Sequence, residues 1–93
     1  MKIVRRMNAD KVRAYCIENE LYTCGTSEEY RQMFQMCDEA RTDEQFIEIA
    51  KNIFEHSDVE WLNEQGTDIE CVALGLLNRC VWTDVMVNDD EAR

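Results

Sequence analysis

The side chains that could act as metal ligands or general bases are few and poorly spaced in this sequence. His56 is the only histidine, and its neighbours Glu55 and Asp58 do not form a metal-ligand spacing. A lone histidine near the end of a predicted helix is typical of a structural residue that interacts favourably with the helix dipole. We therefore expect no metal, no cofactor and no enzymatic activity.

Cysteine is the other residue type that could carry chemistry. The five cysteines are Cys16, Cys24, Cys37, Cys71 and Cys80. Their odd number and wide separation are unlike a disulfide framework, so we interpret them as reduced thiols of a cytoplasmic protein, most of them packed in the core. Cys24 is the one candidate nucleophile, because it lies in a predicted loop before a helix start, where backbone amides lower a thiol pKa. The nearby Glu28 and Glu29 oppose a thiolate, so core packing is favoured here too.

Acidic residues dominate the rest of the chain. The net charge is −10, and because residues 1–13 hold five Lys/Arg against one Asp, residues 14–93 carry −14. Nucleic acids and anionic membranes bind through cations, so we expect neither direct nucleic-acid binding nor membrane binding. No stretch approaches the roughly 20 apolar residues of a membrane helix. A basic protein surface is the partner that this charge favours.

Carboxylates on predicted helix surfaces, with one tryptophan among them, are the candidate partner-binding residues. They are Glu28, Glu29, Glu44, Glu48, Glu55, Asp58, Glu60, Trp61 and Glu64. Carboxylates spaced along helices can imitate the phosphates of nucleic acid and compete for a basic groove. The alternative is a solvated acidic face that only aids solubility. Trp61 and Trp82 suit an interface if they are exposed, although core burial is favoured in a small domain.

Helices must position these residues, and the first two are bounded by capping signals. The chain has no proline and three glycines. Asn8 is a good N-cap for a first helix over about residues 9–20. Gly25 suits a turn, and Thr26 or Ser27 can cap a second helix over about residues 28–39.

Three capping boxes predict the remaining helices. The boxes pair Thr42 with Gln45, Ser57 with Glu60, and Thr67 with Glu70. The third helix carries the apolar stripe Phe46, Ile47, Ala50, Ile53 and Phe54. The fourth is short and ends near Gly66, and the last carries Ile69, Val72, Ala73, Leu76, Leu77 and Cys80.

Short strands are the expected elements at both ends of the chain. Residues 2–7 have strand character, and residues 82–87 read either as a helix end or as a strand. If both are strands, they pair and join the two termini. We therefore predict a mainly α fold, a compact bundle of about four to five helices in one acidic domain over residues 1–93, with a loose tail at residues 88–93.

Two segments resemble a known group of proteins. The first is Leu21-Tyr22-Thr23-Cys24-Gly25-Thr26 followed by Glu29-Tyr30, and the second is Ile53–Ser57, which ends in Glu-His-Ser. Both are similar to small accessory proteins that phages and conjugative elements of Gram-positive bacteria encode. That resemblance implies context more than chemistry, because mobile elements carry acidic inhibitors of restriction enzymes and CRISPR effectors beside regulators of their own transfer.

Two functions follow as expectations. The first is a small acidic interaction protein of a mobile element that binds a basic protein surface, in its narrowest form as a nucleic-acid mimic that inhibits a host defence nuclease. The second is a regulatory or assembly module that acts through an apolar patch or as a homodimer. The residues of that apolar surface would be Trp61, Trp82, Tyr22 or Met36.

Overall fold

The computed structural model of the chain describes residues 2–87, which form five helices and a two-stranded ribbon. In chain order the elements are β1 Lys2–Met7, α1 Ala9–Glu18, α2 Ser27–Glu39, α3 Asp43–Glu55, α4 Val59–Glu64, α5 Ile69–Asn78 and β2 Trp82–Val87. The mainly α fold and the strand at residues 2–7 are confirmed, and residues 82–87, which read either as a helix end or as a strand, form a strand. The tail predicted at residues 88–93 lies outside the described residues. Within the described part of the chain, the helices are too short or too polar to cross a membrane.

Side-chain caps start the helices, though not always at the predicted residue. Asn8 caps α1 through its side chain, which accepts a hydrogen bond from the Lys11 N–H at 3.2 Å. The box at Thr42 is confirmed, because its hydroxyl accepts from the Gln45 N–H and the Gln45 side chain accepts from the Thr42 N–H. Thr26 forms a further box, with Glu29, that the sequence analysis missed.

The boxes predicted at Ser57 and Thr67 are wrong. The N-caps are the following residues, Asp58 and Asp68, whose carboxylates accept hydrogen bonds from backbone N–H groups three residues on. Ser57 is buried, and its hydroxyl donates to the Ile53 carbonyl at 2.6 Å. An aspartate caps as well as a serine does, so the neighbouring carboxylate starts the helix when the hydroxyl is used inside the core.

α3 lies in the middle of the core, with α2 and α5 packed against it. Its buried residues are Phe46, Ile49, Ala50 and Ile53. The predicted stripe was therefore partly wrong, because Ile47 is exposed and Phe54 is only half-buried. On α5 the same correction applies to Leu77, which is exposed, and Cys80 lies beyond the helix in a turn with a φ of 56°.

The ribbon is antiparallel, with Lys2 opposite Val87 and Met7 opposite Trp82. It attaches to the helices at the Met7–Trp82 end, where Met7 is buried and the Trp82 ring lies 5.7 Å from the ring of Phe46. Arg5 covers Trp82, with its guanidinium 4.4 Å from the ring centre, and also pairs with Asp43 at 2.9 Å. Trp82 is thus half-buried. Trp61 is exposed, so the prediction that it is buried in the core is wrong.

The corrected caps give a matched test of what starts these helices. We expect Thr42→Ala to lower the free energy of unfolding by about 1 kcal/mol, because it removes the N-cap of α3. The control Thr67→Ala removes a threonine that caps nothing and should change it by less than about 0.5 kcal/mol. Urea unfolding followed by circular dichroism measures both, and equal losses would contradict the cap at Asp68.

Candidate functional site

A groove between α2 and α3 brings several of the predicted site residues together. One part encloses about 220 Å³ and is lined by Met36, Glu39, Glu44, Gln45 and Glu48. The adjoining part encloses about 130 Å³ and is lined by Met36, Glu48, Lys51, Asn52 and Glu55. The two parts share Met36 and Glu48, so they form one continuous surface, which we call the acidic groove.

Four carboxylates line the acidic groove, and helix geometry spaces three of them. Glu44, Glu48 and Glu55 lie on α3, so they are about 6 Å and about 10 Å apart along the helix axis. Glu39 joins them from α2. None of the ion pairs formed within residues 2–87 involves these four side chains. Lys51 is the cation among the residues lining the groove.

Three of the other predicted carboxylates have structural partners instead. Glu28 forms an ion pair with Arg31. Glu29 completes the capping box of α2 and pairs with His56 at 2.7 Å. Asp58 caps α4. These three side chains stabilise helix ends and are not part of the lining of the acidic groove.

The remaining predicted residues lie on or beside α4. Glu60 and Glu64 are exposed there. Trp61 lines a separate cavity of about 380 Å³ whose walls come from α1, α4 and α5 and include Tyr15 and Cys71. The structure thus unites Glu44, Glu48 and Glu55 and leaves this second set on another surface. Glu39 was not predicted, because only the packing of α2 against α3 places it beside Glu44.

A larger, apolar groove lies between α3, α5 and β2. It encloses about 820 Å³, and its apolar lining comprises Phe46, Ile47, Ile69, Ala73, Leu74, Leu77 and Trp82. Three of these side chains are well exposed: Ile47 at 47%, Leu74 at 59% and Leu77 at 46%. The charged residues of the lining are Arg5, Asp43 and Glu70. Apolar spacing did not predict this apolar groove, because it assigned Ile47 and Leu77 to the core, whereas both are exposed.

The two segments on which the predicted resemblance depends, residues 21–30 and 53–57, meet in space. The Tyr22 N–H donates to the Ser57 hydroxyl at 2.8 Å, and the Cys24 N–H donates to the His56 carbonyl at 2.7 Å. The Tyr22 ring stacks on the imidazole of His56, with ring centres 4.8 Å apart. A Cβ on Gly25 would lie 2.5 Å from the Tyr22 ring, so the close approach needs glycine. These contacts hold the α1–α2 loop against the end of α3.

Both ring nitrogens of His56 lie within hydrogen-bond distance of an acceptor. Its Nδ1 lies 2.8 Å from the Asn52 carbonyl and its Nε2 lies 2.7 Å from a Glu29 carboxylate oxygen. Both partners accept hydrogen bonds, so the protonated ring can donate to both of them. The hydrogen bond to the Asn52 carbonyl, followed by the contact with Glu29, raises the pKa of His56 despite its partial burial. His56 is also the C-cap of α3, which agrees with its expected structural role at a helix end.

The thiols divide into two classes. Cys16 and Cys37 are buried, and burial raises the pKa of each to about 12. Cys24, Cys71 and Cys80 are exposed. The expectation that most cysteines pack in the core, Cys24 among them, is therefore wrong. Across residues 2–87, no cluster of three or more His, Cys, Asp or Glu side chains has the arrangement of a metal site.

No known family matches. Comparison of the chain with protein-family models, with curated proteins and with solved structures finds no similar protein. The resemblance to accessory proteins of mobile elements therefore stays a prediction.

The charge on His56 can be measured directly, because the chain has a single histidine. We expect its imidazole resonances in NMR to titrate above the ordinary pKa of 6.5. Glu29→Gln should lower that pKa, whereas the control Glu28→Gln should leave it unchanged because Glu28 pairs with Arg31. A raised histidine pKa stabilises the fold fully below pH 6.5, and this contribution is lost as the pH rises through the folded-state value. Titration at or below 6.5 would contradict the ion pair.

Thiol exposure gives a second measurement. In the native protein we expect Cys24, Cys71 and Cys80 to react with an aromatic disulfide reagent at neutral pH, while Cys16 and Cys37 react only after unfolding. Mass spectrometry identifies the labelled residues. Cys24→Ser should reduce the native count by one without changing the rates at the other two. A Cys24 far more reactive than Cys71 and Cys80 would reopen the enzymatic alternative.

Proposed function

We propose that this protein is a non-enzymatic interaction protein that binds a basic protein surface through the acidic groove. The observation that supports the proposal is the convergence of Glu39, Glu44, Glu48 and Glu55 on one groove with a single lysine among its lining residues. Carboxylates without ion-pair partners attract a basic surface and orient it as it approaches.

Helix formation does not explain all four of these carboxylates. Glu44 lies in the first turn of α3, where the helix dipole favours an anion. Glu39 and Glu55 are instead the last residues of α2 and α3, where the dipole favours cations. The neighbouring imidazole of His56, when protonated, offsets this cost for Glu55 only. A role outside the fold accounts for acids that the helix ends disfavour.

The free energy of each ion pair determines whether the four carboxylates contribute mainly to the rate or to the affinity of partner binding. An exposed ion pair contributes at most about 1 kcal/mol, and salt screens it. Four pairs therefore favour fast, oriented association more than high affinity. Tight binding also needs buried apolar contact, to which the half-buried Met36 on the acidic groove can contribute.

In the narrowest form of the proposal, the protein belongs to a mobile element and mimics nucleic acid to inhibit a host defence nuclease. The carboxylates on α3 span about 16 Å along its axis. The same length of duplex DNA carries about ten phosphates. The acidic groove has four carboxylates and Lys51, so its charge density fits a short basic segment better than a channel built for a duplex.

A second candidate function is a regulatory or assembly module that acts through apolar contact. The apolar groove favours it, since exposed apolar patches mark interaction sites in small proteins. The homodimer version is disfavoured by charge, because each copy carries −10.

Neutralising the acidic groove tests the first proposal against a variant of equal net charge. The test variant is Glu44→Gln, Glu48→Gln and Glu55→Gln, and the control is Glu20→Gln, Glu60→Gln and Glu64→Gln. Both change the net charge by +3, but the control carboxylates lie outside the acidic groove. Each variant is immobilised and exposed to a lysate of a Gram-positive bacterium, and the retained proteins are identified by mass spectrometry.

We expect the native chain and the control to retain a basic protein that elutes as salt is raised from about 0.1 M to about 1 M. The groove variant should bind that protein about tenfold more weakly or worse, because three ion pairs of up to about 1 kcal/mol each are lost. Equal retention by the two variants, or binding that salt does not change, would contradict the proposal.

A further inference from the structure

We infer that the apolar groove between α3, α5 and β2 binds the apolar face of a basic amphipathic helix of the partner protein. This inference rests on the proposed function and identifies the kind of segment that the partner presents.

The two grooves lie on opposite flanks of one helix. Ile47 of α3 lines the apolar groove, whereas Glu44 and Glu48 of the same helix line the acidic groove. A segment placed over α3 can therefore contact both surfaces at once. A helix with one apolar face and basic flanks has the matching arrangement.

The apolar groove has the composition of a docking surface. It encloses about 820 Å³, and seven of its ten lining residues are apolar. Leu74 and Leu77 project from α5 with 59% and 46% of their surface exposed, and Ile47 is exposed opposite them on α3. Covering such side chains is favourable at about 25 cal/mol per Å² of apolar surface removed from water.

The charge around the apolar groove selects a basic occupant. Arg5 and Asp43 pair with each other at 2.9 Å and leave little net charge between them. Glu70 has no ion pair with any other described residue, and Glu44 and Glu48 add two more negative charges across α3. Cations on the flanks of a bound helix would face these three carboxylates.

Two other occupants fit less well. A second copy of the chain would bring another net charge of −10 to the same acidic rim. The chain's own last residues, Asn-Asp-Asp-Glu-Ala-Arg, contain no apolar side chain larger than alanine. Neither supplies the combination of apolar bulk and positive charge that the two grooves together would accept.

The test uses three synthetic peptides of equal length. The first contains only leucine and lysine, spaced so that the leucines form one face of a helix. The second has the same composition in an order without an apolar face, and the third replaces lysine with glutamate. We expect the full chain to bind the first peptide at least about tenfold more tightly than either of the others, as measured by isothermal titration calorimetry.

A matched pair of variants locates the binding site. Leu74→Ser removes an exposed side chain of the apolar groove, and Ile17→Ser removes one of similar exposure, 66%, on α1. We expect Leu74→Ser to weaken binding of the leucine-lysine peptide about tenfold, while Ile17→Ser leaves it unchanged. Circular dichroism and urea unfolding check that both variants keep the native fold.

Several results would overturn the inference. One is equal binding of the two leucine-lysine peptides, because charge alone would then explain the affinity. Another is a Leu74→Ser variant that binds as the native chain does. A third is sedimentation showing a dimer of the native chain that Leu74→Ser dissociates, because the occupant would then be a second copy.

The failure of this inference and of the proposed function can be distinguished. If neutralising Glu44, Glu48 and Glu55 weakens peptide binding while Leu74→Ser does not, the proposed function stands and the groove inference fails. If only Leu74→Ser weakens binding, the acidic groove is not used and the proposed function fails. The selection of a basic helix by Glu44 and Glu48 is then overturned as well, and only the docking of an apolar helix face on the apolar groove stands.

Discussion

The packing of α3 against both α2 and α5 is the constraint on which the rest of the molecule depends. Ile49 and Ile53 are fully buried on α3, and Phe46 extends the same face to the ribbon through Trp82. One face of α3 is buried in the core. The side chains on either side of that face line the acidic groove and the apolar groove. Close packing of the core fixes the positions of the helices that line the two grooves. The acidic groove and the apolar groove therefore depend on the same buried contacts.

The acidity of the chain has two physical origins. Some carboxylates stabilise helix starts: Asp58 and Asp68 are N-caps, and Glu29 completes the box of α2. Such residues accept otherwise unsatisfied N–H groups and favour the positive end of the dipole. Two acids of the acidic groove are different, because Glu39 and Glu55 end their helices, where the dipole favours cations. The structure thus separates carboxylates that stabilise helix starts from carboxylates that lie at helix ends.

The Tyr22–His56 contact explains the structural role of the residues on which the predicted resemblance depends. Tyr22 adopts a φ of 59°, a backbone conformation that is unusual for a bulky side chain. The surrounding contacts with His56, Ser57 and Tyr30 hold it there. These residues define how the α1–α2 loop meets the end of α3. The thiol of Cys24 lies 3.7 Å from the hydroxyl of Thr23, whereas the backbone N–H of Cys24 donates to the His56 carbonyl at 2.7 Å.

Local interactions allowed the sequence by itself to determine the elements. Apolar spacing and short-range caps predicted about four to five helices and a strand at residues 2–7, and they left residues 82–87 open between a helix end and a strand. Asn8 and Thr42 start their helices as expected, because an N-cap bonds only to residues of the next turn. The N-caps of α4 and α5, Asp58 and Asp68, lie one residue after the predicted caps Ser57 and Thr67. Ser57 was unavailable because Tyr22, 35 positions away, and Ile53 bind its hydroxyl.

Tertiary structure alone decided which surfaces exist. Periodicity marks the apolar side chains of a helix, but it does not say which of them another helix will cover. Ile47 and Leu77 therefore read as core residues, although they are exposed on the apolar groove. Likewise Glu39 meets Glu44 and Glu48 only because α2 packs beside α3. Which side chains are exposed and which meet depends on how segments distant in sequence pack together. A local sequence pattern does not contain that information.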